Sequence, residues 1–328
     1  MLSADWRERA RQIERAPCHA RTNRARESSF LKYIAFCEEK AVRPEPAAFC
    51  VVAGFLIAFV VGLGGKTASL RNKLSHIHVS FVERRWEWLD GTDQRSLSKV
   101  MDALEYDDYT KTRRMKPLLV SLLRRIFDRR GAESSTPMSL LIKTVFAMAH
   151  DGLLRGGEVT SGLLGVDITL EPKLMKVRVD RAKRHRKGEP GVVLIYENEW
   201  YGCSVRLMRK WLRARKLDTI PNRYLFPNVL FEKGAPIQMD FTTSLTYKSL
   251  VSLVRYEVQQ IGLDPLEYAA HSFRAGGATD LFLAGVMRLP MIMKYGRWKS
   301  MEAALVYYRE EVEIAQEASQ IFIGSLRG

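Results

Sequence analysis

With 328 residues, 46% of them hydrophobic and 27% charged, the chain has the composition of an ordinary globular protein, long enough for two domains and for a core that needs no staples. A formal net charge of +15 is not ordinary, and points to a polyanionic partner such as nucleic acid or an acidic membrane surface. Four cysteines, Cys18, Cys37, Cys50 and Cys203, stand far apart without a CxxC pair, which argues against a zinc site or disulfide framework and for reduced thiols in an intracellular protein.

Residues 3–105 carry helical periodicity throughout. The opening MLSADWRERARQIERA is charged and amphipathic, unlike a secretory signal. In FLKYIAFCEE the apolar Phe30, Tyr33, Ile34 and Cys37 share one helical face, and Pro44 and Pro46 break that helix. The longest apolar run, 49–63, is too short to span a membrane and ends in Gly64-Gly65, so it predicts a buried core helix. Residues 67–86 alternate basic and apolar positions, and 96–104 complete a bundle of four or five short helices. Its basic faces suit a DNA groove or backbone, with Lys73, Arg84 and Arg85 as contact candidates. The polar DDYTKTRRMKP (107–117) marks the boundary. The resulting division is a helical domain over 1–110, a connector over 111–117, a second domain over 118–309 and a tail over 310–328.

In the second domain the pattern predicts helices over 118–127 and 139–150, the latter stopping at Asp151-Gly152 and leading into LLRGGEV, which contains Arg155 and Glu158. The one clear β signal comes next. MKVRV (175–179) and GVVLIY (191–196) flank DRAKRHRKGEP, predicting a hairpin that presents Lys183 and Lys187, with Arg184 and Arg186, at a basic tip. Residues 203–215 read as a basic helix, 224–227 as a short extended piece, and 244–261 as a helix stopped by Gly262. The tail is amphipathic, with Val312, Ile314, Ile321 and Ile323 among acidic residues.

The stretch 268–309, YAAHSFRAGGATDLFLAGVMRLPMIMKYGRWKSMEAALVYYR, holds the densest chemistry. Ser272 is a plausible N-cap for a helix from Phe273, placing Arg274 in a first turn where free N–H groups favour an anion. Gly276 and Gly277 weaken that helix but let a backbone or a polyanion approach. Pro290 opens a second apolar segment ending at Gly296-Arg297-Trp298, and a third carries Tyr307 and Tyr308. Arginine, histidine and tyrosine around an anion site suggest chemistry on a phosphate. No Walker-type loop, HExxH or metal-spaced carboxylate cluster is present, so neither ATP nor a metal is expected.

The ordered set Arg155, Lys183, His271-x-x-Arg274, Trp298, Tyr307 resembles the tyrosine recombinase (phage-type integrase) family over the whole chain, most closely the branch typified by the Cre recombinase. LLRGGEV is similar to that branch's LLRxxEI segment, HSFRAGGATD to HSxRxGAA, and GRWKS…VYYR to GGWTN…NYIR. The resemblance implies a mostly α fold with a small β-hairpin: an N-terminal helical (SAM-like) core-binding domain followed by an α+β tyrosine-recombinase catalytic domain.

The resemblance also implies roles. Arg155 and Arg274 would clamp the non-bridging oxygens of one phosphodiester, and their fork geometry suits that task. His271 would donate to the same phosphate or shuttle a proton, and Trp298 would direct its indole N–H there. Lys183 would be the general acid for the departing 5′ oxygen, with Lys187 the alternative. Glu158 would orient a catalytic arginine. In the family the nucleophilic tyrosine lies nine positions after the histidine or tryptophan, which gives Tyr307, with Tyr308 the alternative. The implied reaction cleaves and rejoins site-specific double-stranded DNA through a 3′-phosphotyrosine, without cofactor. It would run in a tetramer on synapsed DNA assembled from monomers or dimers, the tail docking on a neighbouring protomer, in cytoplasm, nucleoid or nucleus. A type IB topoisomerase and a catalytically silent DNA-binding protein are the rival readings.

Overall fold

Phe30, Tyr33 and Cys37, predicted to share one helical face, are all buried on α1 (Ala20–Glu39). The computed structural model describes residues 20–62, 67–106, 115–131, 136–179, 191–285 and 287–307. The chain divides into two units, Met1–Arg113 and Arg114–Gly328. In the first, α1 packs against α2 (Phe49–Val61) and α3 (Leu70–Arg84), and α4 (Gly91–Tyr106) packs against α2. The apolar run does form a core helix, burying Val52, Phe55, Leu56 and Phe59. Aromatic edges fix the packing: Tyr33 meets Phe55 edge-on with ring centroids 5.6 Å apart, and Phe81 meets Trp86 at 5.3 Å. None of the described helices is long and apolar enough to cross a membrane.

Two of the three basic candidates in this unit engage its own surface. Lys73 Nζ donates to Ser29 Oγ at 3.3 Å, and the Arg84 guanidinium lies 4.1 Å from the Phe30 ring centroid. Arg85 is exposed and ends α3 in the left-handed region, with φ 58°.

The second unit is built on α6 (Pro137–Asp151), in which every residue from 139 to 150 is buried. Thr136 starts it by accepting from Ser139 N at 3.1 Å, with Pro137 in the first turn, where its missing N–H is harmless. Around it pack α5 (Val120–Arg129), α8 (Ser204–Arg215) and a three-stranded antiparallel sheet of β1 (Ile168–Leu170), β2 (Leu174–Arg178) and β3 (Val192–Tyr196). The predicted hairpin is β2–β3, in the register Met175↔Ile195 and Val177↔Val193, and all four of these side chains are buried. Strand β1 adds a third member that the sequence pattern did not mark.

A second hairpin, β4 (Pro227–Glu232) and β5 (Ala235–Ser244), corrects the reading of a single β signal. Its turn places Lys233 (φ 48°) and Gly234 (φ 84°) both in the left-handed region, the geometry that matches strand twist. Because β5 occupies 235–244, the helix expected from 244 starts later, as α9 (Tyr247–Gln260), capped by Thr246 accepting from Ser249 N at 3.1 Å.

Helix α10 (His271–Leu283) also corrects an expectation: it begins at His271, not at Phe273 behind a Ser272 cap. Ser272 Oγ instead accepts from Ala269 N at 3.1 Å, bracing the preceding turn. The two glycines admit backbone. A Cβ on Gly276 would lie 2.0 Å from the Leu118 carbonyl oxygen, and one on Gly277 2.4 Å from that of His150. Residues 115–120, read partly as an exposed connector, run as a strap beside α10. Lys116 N donates to Glu267 O at 2.8 Å, Leu118 N to Ser272 O at 2.9 Å and Val120 N to Asp280 Oδ2 at 2.7 Å. Short helices α11 (Leu289–Gly296) and α12 (Met301–Leu305) complete the unit, and α7 (Gly156–Val159) comes just after the α6 corner.

His150 joins α6 to α10. Its Nε2 lies 2.9 Å from Asp280 Oδ2 and its Nδ1 3.1 Å from Asp151 Oδ1. Burial alone would lower its pKa, but the hydrogen bonds and charges of the two carboxylates outweigh that and raise it to about 9.

Gly276→Ala is expected to destabilise the protein by about 3 kcal/mol, since α10 must move off the strap, while Gly157→Ala, whose Cβ meets nothing within 4 Å, stays within about 0.5 kcal/mol. Equal urea midpoints for the two variants would refute the close-approach argument. The His150 bridge contributes stability that is complete below the unfolded pKa near 6.5, declines above it, and is lost as pH rises through about 9. Wild type should therefore lose stability against His150→Gln between pH 7 and 9.5, and a pH-independent difference would refute the bridge.

Candidate active site

Helix α6 ends in a corner that aims its carbonyls at two arginines. Leu153 takes a left-handed φ of 45°, uncommon for an L-residue. Its oxygen accepts from Arg274 Nη1 at 2.5 Å and from Arg297 Nη2 at 3.3 Å. Arg274 sits one turn after His271 on α10, is 1% exposed, and donates its other terminal nitrogen to Gly296 O. The Trp298 ring centroid is 4.1 Å from its guanidinium carbon. The indole can fold there because Gly296 has no side chain; a Cβ would lie 1.7 Å from the ring.

Those carbonyls take one hydrogen bond from each terminal nitrogen of Arg274 without neutralising its charge. Among the described residues no carboxylate lies within ion-pair distance of it. Burial, and then the charges of Arg155 and Arg297, push its pKa down to about 10. A guanidinium held this way favours an incoming anion.

Arg155 precedes α7. Its N–H donates to Glu158 Oε2 at 2.9 Å and its Nη1 to Oε1 at 2.7 Å. Arg297 Nη2 reaches Glu158 Oε2 at 2.8 Å from the other side. Burial alone would raise the Glu158 carboxyl, but the charge of Arg297 and the bonds from Arg155 hold it below the ordinary range. The carboxylate thus aligns two arginines while keeping one negative charge against three positive ones.

Tyr307 lies just past α12, its backbone oxygen accepting from Thr279 Oγ1 of α10 at 3.0 Å. Its hydroxyl is 2.7 Å from His271 Nε2, and its ring centroid is 5.2 Å from that of Trp298 and 6.0 Å from the Arg274 guanidinium carbon. Burial, then the charges of Arg274 and Arg155, lower the His271 pKa. Near neutrality the imidazole is therefore uncharged, with one nitrogen free to accept a proton.

The structure brings together Arg155, Glu158, His271, Arg274, Trp298 and Tyr307. Lys183, Arg184, Arg186 and Lys187 lie outside the described residues, as does Tyr308, although β2 and β3 on either side of the basic turn are in place. Sequence reasoning missed Arg297, Leu153 and Thr279. For Arg297 the signal was present: a cation between Gly296 and Trp298, one residue from a predicted site position. It adopts φ 60°, where glycine is the easy choice, and gains the bond to Glu158.

No protein-family model matches the chain. An integrase/recombinase XerD homolog of Selenomonas ruminantium is 26% identical over 227 residues, 69% of this chain and 62% of the relative. The chain resembles an integrase/recombinase in sequence. The match thus spans about 62% of the relative's own length. Among solved structures, XerH site-specific recombinase bound to palindromic difH substrate, a post-cleavage complex, superposes with TM-score 0.61 at 18% identity, over 90% of this chain and 79% of that one. The Tn1549 transposon integrase in complex with transposon right end DNA gives 0.60 at 15% identity, over 96% and 97%. A lambda integrase dimer bound to a COC′ core site gives 0.55 at 16% identity, over 94% and 77%. The mostly helical architecture with small antiparallel sheets is the tyrosine recombinase fold.

Within this site, Glu158 and Arg297 should be energetically coupled. A double-mutant cycle of Arg297→Gly and Glu158→Gln in urea is expected to give an interaction energy of about 1–3 kcal/mol, because each single change removes a counter-charge from the buried group that remains. Additive effects would mean that the contact positions nothing.

Proposed function

We propose that this protein is a site-specific DNA recombinase that cleaves and rejoins strands through a covalent phosphotyrosine. The observation that carries the reading is Arg274: a buried guanidinium without a carboxylate partner, beside a tyrosine hydroxyl 2.7 Å from an imidazole nitrogen. A scissile phosphodiester is the anion that suits this space, and Arg155 is the second fork that can hold it. In the reaction, Tyr307 Oη bonds to phosphorus and its proton passes to His271 Nε2 as the P–O5′ bond breaks. Lys183, with Lys187 as the alternative, protonates the departing 5′ oxygen. The arginines and Trp298 Nε1 stabilise the charge on the pentacoordinate phosphorus. The ester energy is kept in the phosphotyrosine, so attack by a 5′ hydroxyl on a partner strand reverses the step without a nucleotide cofactor.

The known structures that resemble this chain include recombinases in DNA complexes, which supports double-stranded DNA as the partner. On this reading residues 1–110 form the core-binding domain, with Arg85, Lys73 and Arg84 along the DNA, and 118–309 the catalytic domain. The basic hairpin tip contacts the DNA. The active form is a tetramer on synapsed sites in which the 310–328 tail docks on a neighbour, working inside the cell wherever its DNA target lies.

The test is a library of nicked duplexes of randomised sequence, from which covalent adducts are recovered after denaturation. Wild type and Tyr308→Phe should yield adducts and Tyr307→Phe none. Arg155→Ala and Arg274→Ala should each slow adduct formation by about a hundredfold or more while binding changes only a few-fold. An adduct that persists in Tyr307→Phe and vanishes in Tyr308→Phe refutes the nucleophile, and no wild-type adduct on any duplex refutes the proposal.

A further inference from the structure

A second basic cleft, of about 610 Å³, lies at the C-terminal end of α8, lined by Arg215, Asn222, Arg223, Tyr224, Phe241 and Gly162 among others. The Arg215 guanidinium carbon sits 4.0 Å from the Phe241 ring centroid and 5.8 Å from that of Trp211. Its Nε is buried and has no hydrogen-bond partner. Among the described residues no carboxylate pairs with Arg215 or Arg223, and the catalytic roles above use neither. Burial, then the charge of Arg223, holds the Arg215 pKa below its ordinary value. Two cations facing one cleft, one of them stacked and short of an acceptor, form an arrangement that lacks its anion.

We propose that this cleft binds a backbone phosphate of duplex DNA flanking the scissile site, with Arg215 and Arg223 as its two donors. Resting on the recombinase reading, the assignment chooses DNA by placement and charge. Gly162 comes only a few residues after α7, the helix behind Arg155. Phe241 lies on β5, which leads into α9, and the Tyr247 ring at the start of α9 packs against Gly156, where a Cβ would meet it at 2.7 Å. The cleft therefore borders the elements that hold Arg155. A chain of net charge +15 that grips a duplex at one phosphate meets further phosphates every few ångströms along it.

The experiment measures the affinity of the full-length protein for a fluorescent duplex of about 30 base pairs and arbitrary sequence, at salt from about 50 to 200 mM. Arg215→Ala with Arg223→Ala should reduce the slope of log affinity against log salt by about 0.9, the value for one phosphate no longer neutralised. Lys210→Ala with Arg213→Ala removes the same charge from exposed positions of α8 and should leave the slope unchanged. Should the cleft pair fail to fold, Phe241→Ala removes a half-exposed ring and is expected to weaken binding severalfold at an unchanged melting temperature. An unchanged slope in the cleft pair, or an equal drop in the control pair, overturns the proposal. So does a wild-type slope combined with a loss of self-association, which would give the cleft to a carboxylate of a second copy. None of these readouts needs cleavage, so a wild type that forms no adduct would sink the recombinase reading and still leave the cleft decided.

Discussion

The site depends on holding one guanidinium out of water without cancelling its charge. A carboxylate beside Arg274 would be the ordinary way to keep it buried, but would neutralise the attraction for a substrate anion. Two backbone carbonyls, of Leu153 and Gly296, serve instead. Each supplies a partial negative charge and a fixed direction, so the group is anchored through two of its five N–H donors and still cationic. The left-handed Leu153 and the side-chain-free Gly296 meet that requirement: one turns its carbonyl inward, the other lets Trp298 close over the planar face. Both features are local backbone conditions set by the ends of α6 and α11, so the orientation of Arg274 is inherited from helix packing.

Glu158 solves the complementary problem. Three guanidiniums in one region repel one another, and a single buried carboxylate lowers that repulsion most efficiently where it contacts two of them. It touches Arg155 and Arg297 and leaves Arg274 alone. The residual positive charge is therefore concentrated where the tyrosine and the imidazole also are. Arg297 is held by the same Leu153 oxygen that orients Arg274, so the carboxylate network and the buried cation share one anchor.

Much of this was legible in the sequence, for identifiable reasons. Helix α6 and strands β2 and β3 announced themselves because their cores are apolar and continuous. The spacings His271-x-x-Arg274 and Trp298 to Tyr307 were readable because family motifs are linear. The β4–β5 hairpin escaped because β5, APIQMDFTTS, faces mostly outward and lacks the apolar alternation that marks a half-buried strand. Ser272 misled because an N-cap residue and a turn brace look alike in sequence; the choice was made by Leu118 bonding to the Ser272 carbonyl. Arg297 was invisible in its role because that role depends on Glu158, 139 residues earlier in the chain. The glycines were half legible: the need for close approach was clear, and only the fold could say that the approaching group is the Leu118 backbone.

The position of Tyr307 completes the dependence on α10. Tyr307 lies beyond the short α12, on a segment that buries little of itself; of α12, only Ala304 is fully buried. Such a segment has little packing of its own to define where a phenol points. What fixes it comes from α10, where Thr279 holds the Tyr307 carbonyl and His271 meets its hydroxyl, with Arg274 between them in sequence. One rigid helix, pressed against the strap through Gly276, thus sets the imidazole, the buried cation and both ends of the tyrosine. The tyrosine is thereby referenced at its backbone and at its hydroxyl to the same helix that carries Arg274. Arg155, Arg274 and Trp298 are held by other contacts, through Glu158, the Leu153 and Gly296 carbonyls and the Arg274 face, none of which involves the Tyr307 hydroxyl.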